Sequence, residues 1–341
     1  RAIPWPSEMN GRNVDGGKPR SVLYTQILHK ALEQPARRRR LLFGLALFVA
    51  WRRYTDRVVS SAEEWGPRWL ARLVANAFSM LMDFNGARLV RVHPAPPLEP
   101  GRRHMVIWHP HAAYTTMALM HTATMTVRGT PLTWFTCVAP VLFTMPGLRE
   151  ALLLLNARSC DPKVVEGLVS RGVAVGLQPG GVPEQLQADH THEVALFPPK
   201  LGFIRLALRH GIDLLPAYIF GENQAYHTSD AGRRATAAIF RATGVPMPMV
   251  TGRWGLPWLV PRPVDVSVAW GRPVRVGPPD PAPSEARVAA VFEAYCAELR
   301  RLFDEHKDQC LPLEVAARGL TITHRGNPGE ASAAAEPRSR L

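Results

Sequence analysis

Residues 104–112 read His-Met-Val-Ile-Trp-His-Pro-His-Ala. Met105–Trp108 is a short apolar run that stops abruptly at polar residues, the signature of a buried strand ending in a loop. Two histidines, His109 and His111, then flank Pro110, whose ring fixes the local backbone. In α/β proteins the C-terminal strand ends carry the sites. An imidazole placed there can serve as a general base for a hydroxyl within hydrogen-bond reach. This stretch therefore predicts both a sheet and where its chemistry sits.

Further apolar runs recur outward from it. Leu132–Val138, Val173–Leu177 and Leu214–Phe220 read as strands, and Val264–Trp270 alternates with period two. Helical stretches lie between them: Pro162–Arg171, Lys200–His210 closed by Gly211, and Asp230–Thr243. A long helix from about Ser284 to His306 puts Val288, Val291, Phe292, Tyr295, Leu299, Leu302 and Phe303 on one face. Alternating elements of this kind predict an α/β fold, a mixed sheet flanked by helices.

Three more segments carry chemistry. Gln178-Pro179-Gly180-Gly181-Val182-Pro183-Glu184 follows the strand-like run at 173–177. Its paired glycines permit a sharp turn with N–H groups aimed at an anion or a carbonyl oxygen. Glu184 is placed to pair with a histidine and stabilise its imidazolium. Lys200 opens a helix that carries Arg205 and Arg209, a source of cations for phosphates. Phe220-Gly221-Glu222-Asn223 closes the strand at 214–220. A metal reading of His109 and His111, completed by His190 and His192, has no second metal motif behind it. Cys137, Cys160, Cys296 and Cys310 show no CxxC spacing, so neither a zinc site nor a disulfide framework is indicated.

The 341 residues carry a net charge of +13. Residues 1–60 hold +8 of it and residues 61–103 hold +2, so the body is nearly neutral. That distribution argues against nucleic acid as the partner. Within the basic part, Arg37–Arg40 and Arg52-Arg53 bracket an apolar run, Leu41–Trp51. As a helix this run covers roughly 16 Å, about half of a bilayer core, so it suits an interfacial or re-entrant membrane anchor. Trp69–Met82 is amphipathic and fits either a bilayer interface or the globular body. Four segments result: a polar stretch 1–36 with a helix around Ser21–Leu32, membrane-associated helices and a proline-rich linker over 37–103, a catalytic domain over 104–310, and a largely disordered tail over 311–341.

In order and spacing, these motifs resemble the diacylglycerol acyltransferase type 2 family, which includes monoacylglycerol and wax-ester-type enzymes. The HPHG signature appears as His109-Pro110-His111-Ala112. PGG-x-x-E appears as Pro179, Gly180, Gly181 and Glu184. The (R/K)-x-GF helix start resembles Lys200, Gly202 and Phe203. P-x-Y-x-FGEN matches Pro216, Tyr218, Phe220, Gly221, Glu222 and Asn223. Pro146–Arg149 and Arg253–Pro257 are weaker likenesses. Ala112 replaces the signature glycine, a change that is mild only if its φ is negative.

The resemblance implies a glycerolipid-acyltransferase-like sheet and acyl transfer from acyl-CoA, the co-substrate, to a lipid hydroxyl without any further cofactor. Diacylglycerol is the expected acceptor; monoacylglycerol, a long-chain alcohol and a lysophospholipid are alternatives. His111, supported by His109 and Glu184, would carry the catalysis. Pro110, Gly180, Gly181, Lys200, Arg205, Arg209, Glu222 and Asn223 would line the substrates. The resemblance also implies the cytosolic face of the endoplasmic reticulum membrane, with the lipid droplet as a second location, and it admits a homo-oligomer. A metal-dependent hydrolase and a non-catalytic membrane-binding protein are the rival readings.

Overall fold

The computed structural model of the chain describes residues 35–324, apart from Pro100 and residues 117, 118, 120, 122–133 and 257–259; of Arg37 only the backbone is described. The helix expected around Ser21–Leu32 lies outside the described residues, as do residues 325–341. The chain divides into two compact units, Arg1–Arg57 and Val58–Leu341.

In the first unit the apolar run belongs to a longer helix, α1, Pro35–Val59. Leu41, Leu42, Phe43, Leu45, Leu47 and Phe48 are all exposed. At 100° per residue these positions surround the helix, so α1 presents apolar side chains on every side rather than one stripe. Among the described residues no helix is long and apolar enough to cross a membrane.

The second unit is built on seven strands: β1 Ala87–Val92, β2 His104–His109, β3 Phe135–Val138, β4 Ala157–Ser159, β5 Val175–Leu177, β7 Asp213–Phe220 and β8 Val264–Trp270. Their order is β1-β8-β7-β2-β5-β3-β4. Neighbours run parallel except β7 and β8, which are antiparallel. A separate parallel pair joins β6, Glu193–Phe197, to β9, Leu320–His324. The helices described in full include α2 Arg68–Asn85, α3 Leu148–Leu154, α4 Pro162–Ser170, α5 Gly181–Gln185, α6 Gly202–His210, α7 Asp230–Thr243, α8 Glu285–Cys310 and α9 Leu313–Arg318.

The two-residue period of the central strands sorts their side chains between two cores. Met105 and Ile107 of β2, with Leu214, Tyr218 and Phe220 of β7, pack toward α6 and α8. Val106, Trp108, Leu215, Ala217 and Ile219 pack on the other face with Met82 of α2, Trp134 and Trp270. Strands buried on both faces explain why β2 and β7 read as continuous apolar runs. All seven residues expected on one face of α8 are buried. Each such side chain contributes about 1.5–3 kcal/mol when removed from water.

Two segment boundaries need correction. Part of the stretch 37–103 belongs to the catalytic body. β1 pairs with β8 along the sheet edge, and Met82 and Ala87 lie in the core. The tail expected over 311–341 starts too early, because α9 and β9 are ordered parts of the body. Leu311, Val315 and Ala316 are buried in the larger core, and β9 completes the pair with β6. These residues form a stripe too short to register as a periodic pattern without the partner they bury against.

Candidate active site

The two histidines at the end of β2 diverge. His109 continues the alternation of Met105 and Ile107, so its side chain enters the core facing α8. Its Nε2 lies 2.9 Å from the Tyr295 hydroxyl, and its ring packs edge-on to Phe197. The side chain is 1% exposed, and burial pulls its pKa down to about 3. A neutral imidazole sealed in this way faces the core rather than the cleft that His111 lines.

After Pro110 the chain turns, and His111 emerges half-buried. It lines a narrow cleft with Glu184, Asp189, His192 and Asn223, whose enclosed space is about 10 Å³, room for one water. Burial lowers the His111 pKa, partly opposed by the Ala112 carbonyl, so the neutral base form is favoured. Nδ1 is 3.3 Å from Ala112 O. That contact favours the tautomer that leaves Nε2 unprotonated.

Three side chains from the glycine turn and its flanks grip the main chain of the loop. Gln178 Nε2 donates to Pro110 O at 3.2 Å. Gln185 Nε2 donates to Ala113 O at 2.8 Å. The third is Glu184, and its role differs from the one expected. Its Oε1 accepts the backbone N–H of His111, and its Oε2 accepts the N–H of Leu196 at 2.8 Å. The carboxyl ties the histidine's backbone to β6 instead of pairing with an imidazole. Burial raises its pKa to about 7, against the pull of the two N–H donors.

The glycine turn exists for this contact. A Cβ at Gly180 would overlap Glu184 Oε2, so only glycine lets the carboxyl come so close. Gly181 takes φ +52°, a region that disfavours side chains. Its N–H donates to Gln178 O at 3.2 Å, so it closes the turn and is not offered to a developing oxyanion. Ala112 is buried, and among the described residues the non-glycine residues with positive φ are Asn156, Leu201 and Trp254. Alanine therefore fits the fourth position of the signature without backbone strain.

A second buried carboxyl anchors the other motif. Glu193 Oε2 accepts from the Tyr218 hydroxyl at 2.7 Å and from Asn223 Nδ2 at 2.8 Å, and Oε1 accepts from Gln224 Nε2 at 2.9 Å. Burial raises its pKa to about 6 despite these donors. Sequence reading missed Glu193, although a single acid opening the otherwise apolar stretch Glu193–Phe197 was a signal. Gln178 and Gln185 were missed because a main-chain contact leaves no spacing pattern. Glu222 is buried beside this network.

The basic residues of α6 are not brought to His111. Arg205 pairs with Glu285 at 2.5 Å, and its Nε donates to Lys200 O. Arg209 is bound by Glu166. Arg209 also sits near the start of β7, at the opposite end of the sheet from His109. Lys200 is exposed. His190 and His192 bond to the hydroxyls of Thr228 and Thr191, each at 2.8 Å. Among the described residues no group of three or more His, Cys, Asp or Glu is placed to hold a metal ion.

The end of the parallel strand β2 thus presents one histidine, His111, to a cleft, with its backbone N–H held by Glu184. Residues 40–315 match the family model described as diacylglycerol acyltransferase. The chain belongs to that family and is an acyl-CoA-dependent O-acyltransferase. It is 28% identical over 260 residues to "Diacylglycerol O-acyltransferase 2-like protein 6" of Mus musculus, covering 70% of this chain and 72% of that one. It is 28% identical over 250 residues to "2-acylglycerol O-acyltransferase 3" of Homo sapiens, covering 67% and 71%. It is 26% identical over 245 residues to "Acyl-CoA wax alcohol acyltransferase 2" of Homo sapiens, covering 66% and 71%.

Proposed function

We propose that this acyltransferase transfers a fatty acyl group from acyl-CoA to diacylglycerol, forming triacylglycerol, with His111 as general base. The observation that carries this reading is the contrast in exposure between the two histidines. His111 faces the cleft, while His109 is sealed against Tyr295. His111 Nε2 takes the proton of the acceptor hydroxyl as its oxygen attacks the thioester carbon. The new C–O bond forms, the C–S bond breaks, and the departing thiolate takes up a proton. General-base action of this kind supplies about 10²–10⁴ in rate. Holding both lipids in line supplies much of the remainder.

Glu184, Gln178 and Gln185 act as positioning residues for His111, and Asn223 faces the same cleft. The largely exposed apolar run Leu41–Trp51 of α1, bracketed by Arg37–Arg40 and Arg52-Arg53, supports association with a membrane interface. The endoplasmic reticulum membrane and the lipid droplet are the locations where such an acceptor is available. The relatives' names span diacylglycerol, 2-acylglycerol and wax alcohol acceptors, so the acceptor is the point to test. Purified protein is incubated with labelled oleoyl-CoA and an equimolar mixture of diacylglycerol, 2-acylglycerol and hexadecanol, and the lipid products are separated. Triacylglycerol is the expected main product. A dominant wax ester or diacylglycerol product reassigns the acceptor, and free oleate alone overturns the transferase reading.

A further inference from the structure

Helix α2 is apolar on two opposite faces. Ala71, Ala75 and Met82 are buried. Trp69, Leu73, Met80 and Phe84 are 66%, 57%, 71% and 75% exposed. At 100° per residue these four lie within a stripe about 60° wide, on the side of the helix away from the core.

This stripe runs toward the catalytic end of the sheet. α2 leads through Gly86 into β1, Ala87 is in register with Val264 of β8, and β8 runs antiparallel to β7. β7 in turn is in register with β2, Tyr218 opposite His109. The C-terminal end of α2 and the loop before β8 therefore lie at the end of the sheet that carries His109 and His111.

The loop extends the apolar surface. Trp254 is 67% exposed and Leu256 47%. Trp254 holds φ +56°, a region uncommon for a bulky residue. Arg253 joins loop to helix: its guanidinium lies 4.3 Å over the Trp254 ring, and its Nη1 donates to Phe84 O at 3.2 Å. The surroundings are basic. Arg72, Arg88, Arg253 and Arg262 lie in and beside these segments with Asp83 and Asp265, while Arg68 is paired with Glu64. Large exposed apolar side chains, a tryptophan under a guanidinium and a positive rim match the interface of an anionic phospholipid bilayer.

We propose that Trp254, Leu256, Phe84 and Met80 form a membrane-docking surface that turns the His111 end of the sheet toward the bilayer. This is a contact made by the catalytic body, distinct from α1. Its meaning for catalysis rests on the acyl-transfer reading above. A lipid acceptor would then reach the cleft from the membrane without crossing water.

The test uses the full chain with exposed Cys160 and half-buried Cys310 replaced by serine. An environment-sensitive fluorophore is attached through Trp254→Cys, through Phe84→Cys, or through Arg171→Cys. Arg171 is exposed and precedes β5, so it marks the opposite end of the sheet. Each protein is mixed with phosphatidylcholine–phosphatidylserine vesicles with or without doxyl-labelled acyl chains. The expected result is a blue shift and doxyl quenching at positions 254 and 84, and neither at 171. A water-like, unquenched signal at 254, or equal quenching at 254 and 171, overturns the proposal.

A second arm measures turnover of Phe84→Ser/Trp254→Ser. Removing two large side chains from an apolar interface is expected to lower transfer to a vesicle-borne acceptor at least about tenfold. Transfer to a short-chain, water-dispersed acceptor should stay at the wild-type rate. Equal losses on both acceptors count against docking. If the acyl-transfer reading fails, wild type turns over neither acceptor while the quenching pattern still reports the surface.

Discussion

The two ends of the central sheet treat buried carboxyls in opposite ways. At the start of the strands, Asp213 is 1% exposed and faces Arg102 at 2.8 Å and Arg275 at 3.3 Å. The Val276 N–H adds a bond at 3.1 Å. Burial alone would raise its pKa, but these partners hold it below the usual carboxylate range. At the other end, Glu184 and Glu193 are equally buried and have no arginine. They are met by backbone N–H groups, a phenol and side-chain amides, and burial prevails, raising them to about 7 and about 6. One end compensates charge and secures the fold. The other accepts uncompensated carboxyls in order to fix a backbone, and so carries a cost in stability near neutral pH.

The comparison can be broken in four places. The largest effect is expected from His111→Ala, which should lower acyl transfer by about 10²–10⁴ while leaving the melting temperature unchanged. Labelled-product formation alongside thermal unfolding checks this, and a near-normal rate would remove His111 from the mechanism. Next is Glu184→Gln. An amide cannot accept both N–H groups, so the loop shifts and the rate should fall about 10²-fold with little change in folding. A variant that keeps full turnover would show that the main-chain grip is dispensable.

Asp213→Asn should do the reverse. Unfolding in denaturant should show a loss of about 3 kcal/mol, with unchanged turnover per folded molecule; impaired catalysis would contradict a purely structural far end. The smallest effect concerns pH. Glu193 titrates near 6 when folded against an ordinary 4.5. Between those values the folded state keeps a proton that the unfolded chain has lost, so stability falls as pH rises. Glu193→Gln should flatten that decline by on the order of 2 kcal/mol. Asp213, held low, has the opposite sign: its contribution is lost as pH falls below the carboxylate range. Parallel pH-dependent unfolding of wild type, E193Q and D213N separates the two limbs.

Much of this organisation was legible in the chain itself. The strands around 105–108, 214–220 and 264–270 and the buried face of α8 follow from apolar periodicity, because that pattern records which side chains leave water. The order of motifs around His109–His111, Gly180–Gly181 and Phe220–Asn223 pointed to the family. Strands β1, β4, β6 and β9 did not stand out, since each is short and takes its stability from a neighbour distant in sequence.

The sequence by itself determined an α/β body, a histidine pair at a strand end and a basic, apolar N-terminal helix, all of them consequences of local pattern and composition. Only the tertiary structure decided which histidine is reachable, because that depends on what packs against each face of β2. It also turned Glu184 from a partner of an imidazole into a clamp on the His111 backbone, and it set Arg205 and Arg209 against Glu285 and Glu166. These assignments rest on contacts between residues 12 to 186 positions apart. Such contacts leave no spacing in a sequence to read, since the chain's path through space sets them.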